Sequence, residues 1–420
     1  MNFKLKNKSG ITLIALIITI IVMLILVGVV VTVVIQSNLL GTAKTAGDKY
    51  KTAYEDESNM SEVTINGEKY ASIEDYLEGK VKLPEGAGKR FSETKEYTDG
   101  TKTAWIPAGF TVSGKNGETT IDGGLVIYDI PENEIENVKW DGTEKTKYNQ
   151  FVWIPVEVNK TTEPKDTETS IASFYRSKWA DNARTAGLDV SYTEPYSYDE
   201  TNDYDTSTGI KSQIENLTKS IYKYGGFYIG RYEAGSETER KSSTTEVTTL
   251  GIKQDMYPYN YVKWGESMSN IGTEGAVALS NSLYNSTKPN YGATSMLCTG
   301  ACWDSMLDFI KNTKNVTNST EWGNYYNSET YKIYRGKYAV VSNDTLGDFQ
   351  NVNNEYPKAK NTSVLLTTGA TERNSAKNIY DIAGNCYEWT TESYFSESYS
   401  SDYRVSRGRL LRWIWFYHFS

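Results

Sequence analysis

The sequence predicts an α+β protein in which an N-terminal transmembrane helix carries a body of short strands and much irregular backbone. Three observations predict it. Residues 11–35 are apolar apart from Thr12, Thr19, Gly28 and Thr32, and no charge falls between Lys8 and Lys44. Runs such as TAWIPAGFTVSG, GGLVIYDI and FVWIPV are rich in β-branched and aromatic residues and bounded by glycine or proline, as strands are. Residues 157–220 are dominated by Thr, Ser, Glu, Asp and Tyr, a composition that favours an exposed excursion over a core element.

Composition narrows the function classes. The chain has 420 residues and a formal charge of −9, room for two or three domains and a poor match to a nucleic-acid surface. Its single histidine is His418, so a Ser-His-Asp triad or a multi-histidine metal site would depend on that residue or a partner chain. Gly86-Ala87-Gly88-Lys89 lacks the spacing and the Ser/Thr of a phosphate-cradling loop and reads as a turn. Three cysteines, Cys298, Cys302 and Cys386, are too few for a disulfide framework. Cys298 and Cys302 lie in a stretch that reads as helix, LCTGACWDSMLDFIKN, where two small side chains packed on a core are favoured over a redox or metal pair.

As a helix, residues 11–35 would be about 37 Å long, enough to cross a hydrocarbon layer of about 30 Å with some tilt. Lys4, Lys6 and Lys8 precede it, which sets the N-terminus in the cytoplasm and the remainder outside a cell membrane. The short basic leader ending in Gly10, followed at once by ITLIALIITIIVMLILVGVVV, resembles the signal of type IV prepilins and type II secretion pseudopilins. That resemblance implies a prepilin peptidase cutting between Gly10 and Ile11, and other pilin-like subunits as partners. Those families carry glutamate at the fifth mature position where this chain has Ala15, which favours a plain anchor or minor subunit over a long filament.

Residues 1–10 are therefore expected to be a leader and 11–57 the transmembrane helix and a helical stalk. Residues 58–150 are expected to form a small β-rich connecting region, with a hairpin signal at Asn66-Gly67 and a short helix in SIEDYLEG. From Phe151 the pattern changes. FVWIPV, GGFYIGRYEAG, SMLCTGACWDSMLDFI and NIYDIAGNCYEWTTESY come in the order, and with the look, of the formylglycine-generating-enzyme/sulfatase-modifying family. The last segment carries the resemblance furthest, through Tyr380, Asp381, Ala383, Gly384, Asn385, Glu388, Trp389 and Thr390.

The resemblance implies a C-type-lectin-like fold over residues 151–407, with Trp153, Trp264, Trp303 and Trp389 as core aromatics. It also implies calcium, held by the side chains of Asp381 and Glu388 and the backbone oxygens of Gly384 and Cys386. Two carboxylates seven residues apart, separated by a Gly-Asn pair able to turn carbonyls inward, are compatible with a cation that takes about six to eight oxygens. The alternative is a tight turn over Trp389, its carboxylates hydrogen-bonded to backbone amides. No cysteine follows Cys386, so the thiol pair and copper of the true oxidases are not expected. Residues 408–420, RLLRWIWFYHFS with its preceding glycine, read as an aberrant tail that replaces the family's last strands. The functional expectation is a membrane-anchored, externally displayed, non-catalytic protein that binds an extracellular ligand. A formylglycine-generating oxidase and a passive pilus or secretion subunit are the alternatives.

Overall fold

The computed structural model describes residues 81–158, 210–241, 250–264, 275–342, 345–396 and 401–407, with short strands at Val63–Ile65, Glu68–Tyr70 and Tyr192–Thr193. The leader with its Gly10–Ile11 junction, the apolar run, the stalk, most of the 157–220 excursion and the 408–420 tail lie outside the described residues. Among the described residues, no helix is long and apolar enough to cross a membrane. The chain divides into two compact units, Met1–Lys82 and Leu83–Ser420. In the first, Val63–Ile65 pairs antiparallel with Glu68–Tyr70 on either side of Asn66-Gly67, the pairing that an Asn-Gly turn favours.

The second unit is a mixed α+β body of small antiparallel sheets joined by irregular backbone. Its central sheet is formed by Thr111–Val112 (β1), Val126–Tyr128 (β2), Gln150–Pro155 (β3) and Gly226–Gly230 (β4), paired in that order. Strand neighbours alternate between faces. Val126, Tyr128, Val152 and Ile154 enter one hydrophobic cluster, while Ile127 and Trp153 enter another on the opposite face. Burial on both faces explains why these strands are continuous apolar runs in the sequence. The boundary expected at residue 150 falls at the first residue of β3, and the sheet takes strands from both sides of it.

Two helices cover the sheet and its flank. Ile210–Tyr224 (α1) begins within the stretch expected to be a surface excursion and runs past its end, and it differs from that expectation for a readable reason. Ile210, Ile214, Leu217 and Ile221 recur at intervals of four, three and four, a helical stripe in a polar sequence. Ile210 and Ile221 are buried, and Gly225, at φ +75°, closes the helix by donating its N–H to the Ile221 carbonyl at 2.8 Å. Gly300–Ile310 (α2) begins just after Cys298 because Thr299 caps it, its hydroxyl accepting from the Cys302 N–H at 3.0 Å. Ala301, Cys302, Trp303, Met306 and Ile310 then pack on the β2–β3 face.

All three cysteines are free thiols; Cys302 is buried in that cluster and Cys298 packs against it. Trp153, Trp264 and Trp303 are buried, and Trp389 packs partly buried beside Trp264. The Trp264 indole donates to the Thr390 carbonyl at 2.8 Å and that of Trp389 to the Val262 carbonyl at 2.9 Å. Further along, Lys337–Ser342 (β5) pairs with Thr345–Leu346, Gln350–Asn351 and Val364–Leu366 (β6). The last described hairpin pairs Glu388–Ser396 (β7) with Ser401–Arg407.

Candidate functional site

The segment from Ile379 to Trp389 is held by backbone geometry that its sequence dictates. A short hairpin pairs Ser375–Ala376 with Ile379–Tyr380 through Lys377 and Asn378, both at positive φ. The Tyr380 N–H donates to the Arg231 carbonyl at 2.8 Å, which ties this segment to the residues leaving β4. Asp381, Gly384 and Asn385 then take φ values of +60°, +80° and +65°. A Cβ on Gly384 would sit 2.2 Å from the Asn324 carbonyl oxygen, so only glycine fits. The Asn385 side chain meets its full bonding capacity in the interior. Its carbonyl accepts from the Leu366 N–H and the Asn324 amide, and its amide donates to Glu233 and to the Leu366 carbonyl.

The turn brings Asp381, Cys386 and Glu388 close to Glu233, a residue the sequence reading had not singled out. Asp381 is 4% exposed and its carboxylate accepts from the backbone N–H groups of Gly369, at 2.7 Å, and Glu233. Glu233 is 5% exposed and accepts from the Asn385 amide at 2.8 Å and the Cys386 N–H at 3.2 Å. Glu388, partly buried at the start of β7, makes no hydrogen bond or ion pair with its carboxylate among the described residues. Asp381 thus has the amide-bonded arrangement of a tight turn, whereas Glu388 does not.

Electrostatics sets the three acids apart. Burial, then Asp381, pushes Glu388 up to about 8. Burial likewise raises Asp381 to about 7, against the pull of its two amide hydrogen bonds and of Arg335. Glu233 is raised by burial and then by the charges of Asp381 and Glu388, which outweigh its hydrogen bonds. The Cys386 thiol is pushed up by burial and by the same carboxylates, which makes it a poor nucleophile.

Against calcium's need for six to eight oxygens, the expected set supplies Glu388, two backbone carbonyls and an Asp381 carboxylate already engaged by two amides. Among the described residues, no three His, Cys, Asp or Glu side chains group closely enough to hold a metal ion. Hydrogen bonds of Asp381, Asn385 and Cys386 hold the turn.

Of two neighbouring cavities, the smaller is lined by residues of the turn and the larger is not. The smaller, about 210 Å³, is lined by Glu233, Cys386, Tyr387, Glu388, Trp303 and Trp389 among others. The larger, about 460 Å³, has Trp105, Phe151, Tyr224 and Tyr228 in its walls. Both share Ile229, Gly230, Leu250 and Cys298. Apolar concavities with a few polar groups are where small ligands bind. Glu233 was legible in principle, as a lone acid in the aromatic segment GGFYIGRYEAG just past a strand. Its partnership with Asp381 and Glu388 depends on the Tyr380–Arg231 backbone contact, which no local pattern announces. No protein-family model, curated protein or solved structure matches the chain.

Proposed function

We propose that this protein is a membrane-anchored, externally displayed binding module whose C-terminal body, lectin-like in fold, holds a small ligand without transforming it. The observation that carries the reading is a pair of adjoining cavities walled by aromatic rings, the smaller of them beside the turn and edged by Glu233 and Glu388. The walls are supplied by short sheets and by loops that their hydrogen bonds fix, the usual division between scaffold and recognition surface. The charge-free run at residues 11–35, preceded by Lys4, Lys6 and Lys8, supports the anchor and its orientation. A prepilin-type cut between Gly10 and Ile11 belongs to the same proposal.

The test is made on cells producing the full chain. The protein is expected in the membrane fraction, with mature mass beginning at Ile11, and intact cells treated with protease should lose the body. A chain recovered from the soluble cytosolic fraction and protected from external protease contradicts the reading.

A further inference from the structure

The smaller cavity has an unbalanced charge. Glu233 and Glu388 both line it, and among the described residues no lysine or arginine does. Of the nearby guanidinium groups, Arg231 pairs with Glu118 at 2.7 Å, Arg335 pairs with Glu372 at 2.7 Å, and Arg240 lies over the Tyr259 ring at 5.3 Å from its centroid. Buried carboxylates are ordinarily matched by a cation of the protein, because leaving them unmatched is costly. Three aromatic side chains, Trp303, Tyr387 and Trp389, line the same space, and Tyr387 is 41% exposed, unusual for a large ring. Tyr232, Tyr259 and Tyr380 also line it.

Each feature finds its complement in one ligand chemistry. Aromatic faces attract a desolvated cation, and carboxylates accept from its N–H groups. The volume of about 210 Å³ is below the range of drug-sized pockets, so it suits a small head group. We propose that this cavity binds an organic ammonium ion, its N–H groups donating to Glu388 and Glu233 and its carbon body lying against Trp303, Tyr387 and Trp389. The inference rests on the binding reading above and names the class of ligand for the same site.

Calorimetric titration of the detergent-solubilised full chain tests it, using n-butylammonium chloride, its neutral isostere n-butanol, and calcium chloride as separate probes. Butylammonium is expected to bind saturably, with n-butanol at least about tenfold weaker, the ratio a charge-assisted hydrogen bond supplies. Glu388→Gln, whose carboxylate holds no other part of the fold, is expected to weaken butylammonium by about tenfold or more. Tyr387→Leu, at an exposed position, is expected to weaken it several-fold without altering the far-ultraviolet circular dichroism. Equal binding of butylammonium and butanol, unchanged affinity in Glu388→Gln, or calcium bound where the amine is not, each overturns the inference. Binding of butanol alone leaves the module a binder of neutral ligands. A folded chain that binds neither probe overturns the ammonium assignment, while cell-surface display is decided separately by the protease assay.

Discussion

Arg231 and Glu233, two residues apart beyond β4, enter two buried acidic clusters that are resolved in opposite ways. Arg231, 1% exposed, meets Glu118, 3% exposed, and donates as well to Tyr128 and Gln150. Glu118 also accepts from Ser113 and Tyr128 and lies 3.3 Å from the Lys145 ammonium. Burial alone would raise Glu118, but Arg231, Lys145 and Ser113 outweigh it and hold the carboxyl down at about 2. Glu233 and Asp381 accept amide hydrogen bonds and meet Glu388 with no paired cation among the described residues, and all three acids are pushed up. The comparison separates two uses of buried charge. A matched acid is a strut of the fold, while an unmatched group beside a cavity is a candidate for function.

The largest test removes the match. Arg231→Met should leave Glu118 buried without its main partner and destabilise the body by about 3–5 kcal/mol, measured by urea unfolding. A cost below about 1 kcal/mol would mean that the cluster relaxes into water and is no strut.

Acid titration sharpens the contrast because the clusters respond with opposite sign. Glu118, depressed on folding, contributes about 3 kcal/mol that is present above its unfolded pKa near 4.3 and lost as pH falls toward about 2. Asp381 and Glu388, raised on folding, bind protons in the native state that the unfolded chain has released. Their contribution is complete below about pH 4 and is lost as pH rises through about 7 and 8. Stability should therefore peak at about pH 4 and decline up to about pH 8. A profile rising from pH 5 to 9 would contradict the unmatched cluster.

Smaller effects follow at single positions. At pH 9, Glu388→Gln should stabilise the body by on the order of 1–3 kcal/mol, since it removes an unpaired charge without removing a hydrogen bond. A loss of stability would mean that Glu388 has a charge partner. The least effect is expected from chelation. Hydrogen bonds hold the Asp381–Asn385 turn, so excess chelator should leave the melting temperature unchanged, and a clear fall would restore calcium to the turn.

The contrast also marks how far the sequence could be read. The strands Val126–Tyr128 and Gln150–Pro155 stand out because burial on both faces makes 126–128 and 151–155 unbroken apolar runs. Gly384-Asn385 announced its left-handed backbone because few other residues adopt it. The α1 helix was hidden by its polar surface, although its apolar stripe was present. Least legible was the acidic cluster. Glu233 and Glu388 are 155 residues apart, and their segments meet through long-range bonds, Tyr380 to Arg231 and Asn385 and Cys386 to Glu233. Composition likewise could not separate Glu118 from Glu233, because the difference lies in which acid Arg231 reaches.

The most direct measurement follows the carboxyl C=O stretch by infrared difference spectroscopy as the full chain is titrated from pH 4 to 10. Bands from protonated carboxylic acid should persist above pH 6, those of Asp381 and Glu388 disappearing with midpoints at about 7 and about 8 beside that of the likewise raised Glu233, and the component at about 8 should be missing in Glu388→Gln. If every carboxyl group is ionised by about pH 5.5, a cation of the protein already matches the cluster, and its assignment as a ligand site is contradicted.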